Sequence, residues 1–200
     1  VLIIVEVNTG GEALLFTNVA YNIWFLVILF CFFWFGYAKA DTHLRQRYLI
    51  AYFSLWFLGT CVLGTFFSSA GPCFYALVVP GTDPYAGLLA TLKSANSIYP
   101  IWAVPTQETL WQSHLAGHGE VEGVSAMPSL HVATSVLFIL LAKEWGQRWF
   151  LYFTIPFALL ILAGSVVLGW HYAVDGYAGA ALAVLCWWLA GKLAPIPKQI

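Results

Sequence analysis

Five long apolar stretches alternate with polar segments along the chain. They cover about residues 14–38, 48–69, 129–142, 149–170 and 172–190. At about 1.5 Å per residue, the longer stretches can cross a hydrocarbon core of about 30 Å as tilted helices. The third is short for a span, and Pro156 predicts a kink in the fourth. The pattern predicts an all-α integral membrane protein with a bundle of five transmembrane helices.

A long polar segment, about residues 71–128, separates the second and third apolar stretches. It is rich in Gly, Pro, Ser and Asn, which favour turns. We expect a loop here, with an interfacial helix near residues 106–116. Because neither an internal repeat nor a low-complexity tract divides the chain, residues 1–200 are interpreted as a single membrane domain.

The composition narrows the class of protein. Hydrophobic residues make up 61% of the 200 residues and charged residues only 8%, against roughly 45–50% and about 25% in ordinary globular domains. This excludes a disordered tail, a nucleic-acid binder with a basic face and a soluble α/β enzyme. The ten Trp and ten Tyr are typical of a chain with many side chains at the bilayer interface.

Basic residues are distributed unevenly between the two ends of the expected helices. Alternating helices place seven of the eight on one side: Lys39, Arg45, Arg47, Lys143, Arg148, Lys192 and Lys198. Only Lys93 falls in the long loop. Because Lys and Arg favour the cytoplasmic side, we expect the loop to be extracytoplasmic and the C-terminus cytoplasmic. Val1 then starts outside, which predicts a sixth helix before it in the full-length protein.

The first of two motifs with candidate chemistry is Ser125-Ala126-Met127-Pro128-Ser129-Leu130-His131. Pro128 and Ser129 predict the start of a helix, because Pro suits a first turn and Ser is a good N-cap. His131 then lies in the first turn, beside free backbone N–H groups that favour anions. A capped helix with an incidental histidine is the alternative interpretation.

The second motif is Gly169-Trp170-His171-Tyr172-Ala173-Val174-Asp175. His171 and Asp175 are spaced i, i+4, which puts both on one face of a helix. Asp175 can then accept a hydrogen bond from His171 Nδ1 and leave Nε2 free to attack or to take a proton. An Asp in an apolar helix costs roughly 2.5–3.5 kcal/mol at mid-membrane, so we expect a functional role. A structural His–Asp pair is the alternative.

The expected topology brings the two motifs together. The third and fifth helices begin on the same outer side, so His131 and His171 can meet at one site. With Asp175 and nearby serines they form a set suited to phosphoryl transfer without a metal or other cofactor. One histidine attacks phosphorus and the other protonates the leaving oxygen.

A second histidine pattern, His114, His118 and Glu122, has the spacing of a metal-binding helix face. Three glycines interrupt any helix there: Gly117, Gly119 and Gly123. We therefore expect a surface loop and no metal site.

Pro128-Ser129-Leu130-His131 and His171-x-x-x-Asp175 resemble the second and third signature motifs of the type 2 phosphatidic acid phosphatase superfamily. This superfamily includes lipid phosphatases, glucose-6-phosphatase, vanadium haloperoxidases, and the inositol phosphorylceramide and sphingomyelin synthases. The resemblance covers about residues 68–179, with specific motifs at 125–135 and 164–179. It implies a six-helix bundle in which His171 is the nucleophile that forms a phosphohistidine, Asp175 orients it and His131 is the general acid.

The motif form is closest to the lipid phosphotransferase branch, the inositol phosphorylceramide and sphingomyelin synthases. Leu130 replaces the superfamily's usual Gly, Gly164-Ser165 stands in place of Ser-Arg, and the Lys-x6-Arg-Pro motif has no counterpart. The synthases likewise keep His-Tyr-x-x-Asp and little of the basic phosphate clamp. The residues expected to bind substrate or phosphate are Ser129, Ser125, Ser165, Gly71 and Pro72.

Together these features predict a membrane lipid phosphatase or phosphotransferase acting at the extracytoplasmic face. Its expected partners are membrane lipids, either a phospholipid or an isoprenoid or sphingolipid phosphate, and not nucleic acids. Two other classes stay open. The missing basic residues are compatible with a catalytically weak relative that serves as a subunit of a membrane complex. The third class is a haem- or quinone-binding protein with His131 and His171 as ligands, although such a ligand needs no carboxylate at i+4.

Overall fold

The computed structural model describes residues 11–37, 42–116 and 125–194, and in these ranges most of the chain is helical. Its main helices are α1 (Gly11–Tyr37), α2 (Thr42–Trp56), α3 (Ala86–Asn96), α4 (Ala103–Leu115), α5 (Leu130–Trp145), α6 (Arg148–Val167) and α7 (Ala173–Leu193). α2 continues through a π-helical turn, Phe57–Leu63, into a last turn, Gly64–Phe66. The predicted all-α integral membrane fold is confirmed.

Within the described ranges, four helices are long and apolar enough to cross a membrane: Gly11–Tyr37, His43–Phe66, Arg148–Val167 and Ala173–Leu193. The fifth member of the expected bundle, α5, has 16 residues and is about 24 Å long at about 1.5 Å per residue. α5 packs against α1, α2, α6 and α7, and half of its side chains are buried. It is the central helix of the bundle, so its position is fixed by protein contacts.

Two boundaries differ from the sequence prediction. α2 begins at Thr42, earlier than expected, because Leu44 and Tyr48 are buried one turn apart in the core. α6 includes Pro156 and ends at Val167. The chain then turns at Gly169, whose φ of 76° lies in the left-handed region that glycine adopts without strain.

The segment expected to be a loop with one helix contains more helix than predicted. The helix expected near residues 106–116 is present as α4. The prediction missed α3, a short 3₁₀ turn at Pro72–Phe74 and a one-turn helix at Tyr75–Val78. α3 forms because Leu92 and Ala95 are buried on one face, and this tertiary contact outweighs the turn-forming residues around it.

One end of the bundle carries most of the described basic residues. Arg47 near the start of α2 forms an ion pair with Glu144 at the end of α5. Its guanidinium also lies 4.5 Å from the ring centroid of Trp187 on α7, and Lys192 lies 3.6 Å from that of Trp188. Helices α5 and α7 therefore end where α2 begins, as alternating directions predict. Two further predicted members, Lys39 and Lys198, lie outside the described residues.

The opposite end brings the starts of α5 and α7 together. A Cβ on Gly179 of α7 would lie 2.4 Å from the carbonyl oxygen of Ser129, and a Cβ on Gly176 would lie 2.5 Å from Leu162 Cδ1. The backbone N–H of Ser129 donates to the carbonyl of Asp175 at 3.0 Å. Gly179 thus allows the close approach that joins the two candidate motifs, and Gly176 leaves room for Leu162 of α6.

Candidate active site

An open cavity of about 850 Å³ lies between α1, the π-helical turn of α2, α4 and the start of α5. His131 and His171 both border it, and their ring centroids are 6.0 Å apart. Ser125, whose hydroxyl donates to the carbonyl of Gly64 at 3.1 Å, borders the cavity as well. The structure therefore brings together the two histidines and one of the expected serines.

The start of α5 has the predicted geometry. Ser129 is the N-cap, and its hydroxyl accepts from the N–H of Val132 at 3.5 Å. His131 is the second residue of the helix, where backbone N–H groups lack intrahelical partners. The imidazole of His131 thus lies beside the positive end of a helix, which favours an anion at this position.

His171 lies in a tightly held segment between α6 and α7. The N–H groups of Trp170 and His171 each donate to the carbonyl of Ser165 at 3.0 Å. On the other side, the N–H of Cys73 donates to the carbonyl of Gly169 at 3.0 Å. Hydrogen bonds on both sides therefore fix the backbone that carries His171.

The expected hydrogen bond between His171 and Asp175 is not formed. His171 precedes Tyr172, the N-cap of α7, so the i, i+4 spacing does not put the pair on one helix face. His171 Nδ1 lies 2.7 Å from the carbonyl oxygen of Ala126 and 3.9 Å from Asp175 Oδ2. Asp175 Oδ2 instead accepts from the N–H of Tyr172 at 2.8 Å and closes the first turn of α7.

The contact with Ala126 sets the tautomer of His171. A carbonyl oxygen can only accept, so Nδ1 carries the proton and Nε2 keeps its lone pair. Burial lowers the pKa of His171 to about 4, because desolvation disfavours the imidazolium; the bond to Ala126 acts in the opposite direction. His171 is therefore neutral near pH 7, with an unprotonated Nε2.

Four expected substrate-binding residues do not border the cavity: Ser129, Ser165, Gly71 and Pro72. Ser129 and Ser165 are fully buried, and their hydroxyls bond to the backbone of Val132 and Leu162.

The other two of these residues support the His171 segment from outside the cavity. Pro72 begins the 3₁₀ turn, and a Cβ on Gly71 would lie 2.2 Å from the carbonyl oxygen of Trp170. Gly71 and Pro72 are buried and, like the two serines, shape the backbone of the site.

The walls of the cavity could not be predicted from the sequence. Tyr21 and Trp24 of α1 border it and contact His131, but nothing distinguishes them among the other aromatic residues of this apolar helix. The π-helical turn contributes Gly59 and Thr60. Such turns are frequent at functional sites, and two glycines five positions apart, Gly59 and Gly64, were its one signal in the sequence.

The polar groups around the cavity are neutral or histidine. In the described part of the chain, neither Lys nor Arg borders it. Besides the histidines, its polar side chains are Tyr21, Asn22, Trp24, Trp56, Thr60, Thr65, Ser68, Trp102, Thr106, Ser125 and Trp170. Among the described residues, acidic, cysteine and histidine side chains do not form a group of three that could hold a metal. His114 borders the cavity, whereas His118 and Glu122 lie outside the described residues.

Comparison with known families agrees with the motif analysis. A family model described as the PAP2 superfamily matches residues 5–189, which include both histidine motifs. Comparisons with curated proteins and with solved structures gave no match. Because the family match spans most of the chain and both histidines lie at one cavity, the chain belongs to the PAP2 superfamily.

Proposed function

We propose that this protein is a membrane lipid phosphatase or phosphotransferase that cleaves a lipid phosphoester through a phosphohistidine at His171. Membership of the PAP2 superfamily indicates phosphatase-type chemistry on phosphoesters. The proposal of a phosphohistidine rests on the position of the His171 imidazole at the cavity wall. Its Nδ1 is engaged by Ala126 at 2.7 Å, which leaves Nε2 as the nucleophilic atom.

The reaction has two displacement steps. In the first, His171 Nε2 bonds to phosphorus, the bond from phosphorus to the leaving oxygen breaks, and His131 gives that oxygen a proton. In the second, water or an alcohol attacks phosphorus, His131 takes its proton, and the N–P bond breaks. Asp175, 3.9 Å from Nδ1, stabilises the positive charge that develops on the His171 ring. The phosphate oxygens face the N-terminus of α5.

The phosphotransferase branch is the finer form of the proposal. Its support is the absence of Lys and Arg from the described wall of the cavity, together with the His-Tyr-x-x-Asp form of the second motif. The proposed substrates are lipids that carry a phosphoester: a phospholipid, or an isoprenoid or sphingolipid phosphate. Apolar side chains of α1, α2 and α4, such as Phe25 and Leu110, suit their hydrocarbon chains.

We also propose that the site faces away from the cytoplasm. Arg47, Lys143, Arg148 and Lys192 lie towards the bundle end opposite to the histidines, as the ion pair of Arg47 with Glu144 and the helix directions require. If this basic end is cytoplasmic, the cavity opens on the extracytoplasmic side.

The test compares leaving groups in purified protein. His171→Ala removes the nucleophile, so turnover should be lost with both an alkyl and a p-nitrophenyl phosphoester. His131→Ala should cost the 10²–10⁴-fold typical of general acid catalysis with the alkyl ester. It should cost much less with nitrophenolate, which leaves without a proton. Asp175→Asn should lie between the two, because it keeps the cap and loses the charge.

Two outcomes would contradict the proposal. Undiminished turnover by His171→Ala would reject the site as catalytic and favour the catalytically weak subunit of a membrane complex. An equal loss with both substrates in His131→Ala would reject its role as the acid. Lys93→Ala is a suitable control, because Lys93 lies on α3 and does not border the cavity.

A further inference from the structure

The His131 ring lies between two aromatic side chains of α1. Its centroid is 4.4 Å from that of Tyr21, with 20° between the ring planes. It is 4.0 Å from that of Trp24, with 30° between the planes. Two nearly parallel rings at such distances cannot share one face of an imidazole, so Tyr21 and Trp24 cover opposite faces. Phe25 adds an edge contact at 6.5 Å.

Both flanking rings are themselves held in place. Trp24 is 2% exposed, and its indole N–H donates to Thr134 Oγ1 at 2.8 Å. Thr134 lies one turn after Leu130 on α5 and donates back to the carbonyl of that residue at 2.8 Å. Tyr21 is backed by α6, where a Cβ on Gly164 would lie 3.1 Å from Tyr21 Cδ2.

The two flanking side chains differ in their polar groups. The indole N–H of Trp24 is bonded to Thr134, whereas the hydroxyl of Tyr21 is buried and has no hydrogen-bond partner among the described residues. A buried hydroxyl without a partner is a cost to the fold. What Tyr21 contributes is therefore its ring face, and the phenyl ring of Phe would supply the same face.

We propose that Tyr21 and Trp24 are positioning residues that clamp the His131 ring and hold its nitrogens at the leaving oxygen. This role rests on the proposed function, in which His131 is the general acid. Rotation of an unclamped imidazole would take its proton out of hydrogen-bond reach of that oxygen, and general acid catalysis needs that reach. The clamp comes from α1, so this helix completes a site whose histidines lie on other elements.

The activity test uses Tyr21→Leu, which removes a ring face and keeps an apolar side chain. We expect a loss of about tenfold or more with an alkyl phosphoester, and about threefold or less with the p-nitrophenyl ester, as partial loss of a general acid predicts. Tyr21→Phe should rescue turnover of the alkyl ester. In the double variant with His131→Ala, Tyr21→Leu should add almost no further loss, because both changes act through one proton transfer.

The matched control is Phe35→Leu. Phe35 is another buried aromatic residue of α1, but it packs on Tyr48 and Trp145 at the basic end of the bundle. Phe35→Leu should lower thermal stability to a similar extent as Tyr21→Leu. It should leave the ratio of alkyl-ester to nitrophenyl-ester turnover unchanged. If Tyr21→Leu lowers turnover of the alkyl and the nitrophenyl ester equally, the positioning role is wrong. The role is also wrong if the loss in the double variant equals the product of the losses in Tyr21→Leu and His131→Ala.

A second measurement does not depend on turnover. The proton NMR signals of an imidazole between two ring faces are shifted strongly upfield, and the His131 signals are identified by their loss in His131→Ala. They should move downfield in Tyr21→Leu and Trp24→Leu, and stay in place in Phe35→Leu. Unmoved signals would show that the clamp does not exist. If wild-type protein turns over neither ester, the proposed function fails, whereas the NMR shifts still decide whether α1 clamps the ring.

Discussion

The substitution Gly71→Ala tests how tightly the His171 segment is held. Gly71 has a φ of −68° and a ψ of 171°, which any residue can adopt, so alanine is excluded by space alone. Its Cβ would lie 2.2 Å from the carbonyl oxygen of Trp170 and 3.1 Å from the carbonyl carbon. Both atoms belong to the backbone directly before His171, so no side chain can rotate away to make room.

The size of the effect follows from this distance. A Cβ and a carbonyl oxygen normally approach to about 3.4 Å or more, so the two backbones must separate by roughly 1 Å. Overpacking of this kind typically costs about 1–3 kcal/mol of stability. A shift of about 1 Å at a catalytic group can lower the rate by about 10²-fold. We therefore expect a large loss of turnover in a protein that still folds.

The assay is turnover of a lipid phosphoester in detergent, with thermal unfolding measured on the same samples. Gly87→Ala is the control, because a Cβ on Gly87 has no described atom within 4 Å. This substitution should leave both measurements close to wild type. If Gly71→Ala is as active and as stable as Gly87→Ala, the contact with Trp170 does not hold the site. Loss of stability without loss of rate would show that His171 is positioned by its other contacts.

Three further predictions concern topology, pH and metal dependence. A cysteine at the exposed Thr82, in a protein lacking its native cysteines, should react with an impermeant thiol reagent on intact cells; reaction only after lysis would place the site on the cytoplasmic side. Turnover of the nitrophenyl ester should stay level from about pH 7 to 5, because burial lowers the pKa of His171 to about 4 and the imidazole stays unprotonated. A tenfold fall in turnover by about pH 5.5 would contradict this, because it is roughly the fall expected for a histidine with a pKa of about 6.5. Activity should survive EDTA and be inhibited by vanadate, which resembles pentacoordinate phosphorus; loss in EDTA with rescue by Mg²⁺ would reject the proposed mechanism.

The helices of this protein could be predicted because their signals are local. Unbroken apolar stretches require backbone hydrogen bonds within the segment in a membrane, which gave the bundle and most of its boundaries. Ser129 as the N-cap of α5 also followed from neighbouring residues alone. Alternating helix directions were enough to place His131 and His171 at one end. The two sequence motifs led to the superfamily that the family match supports.

Tertiary structure decided how the site is built. The partner of His171 Nδ1 is Ala126, 45 residues away along the chain, and this contact replaced the local pair with Asp175 that the i, i+4 spacing predicted. That spacing has meaning only inside a helix, and α7 begins after His171. The turn at Gly169, after the end of α6, and not the spacing, determined where the imidazole lies.

The walls of the cavity depended even more on contacts between distant segments. Trp24 reaches Thr134 across 110 residues, and Gly71 packs on Trp170. In a chain that is 61% hydrophobic, an aromatic residue that flanks a histidine has the same sequence pattern as one that faces lipid. The sequence by itself determined which residues could carry the chemistry. Only the close packing of separate helices determined which side chains hold those residues in place. Such packing depends on how the surfaces of distant segments fit together, and no local sequence pattern encodes that fit.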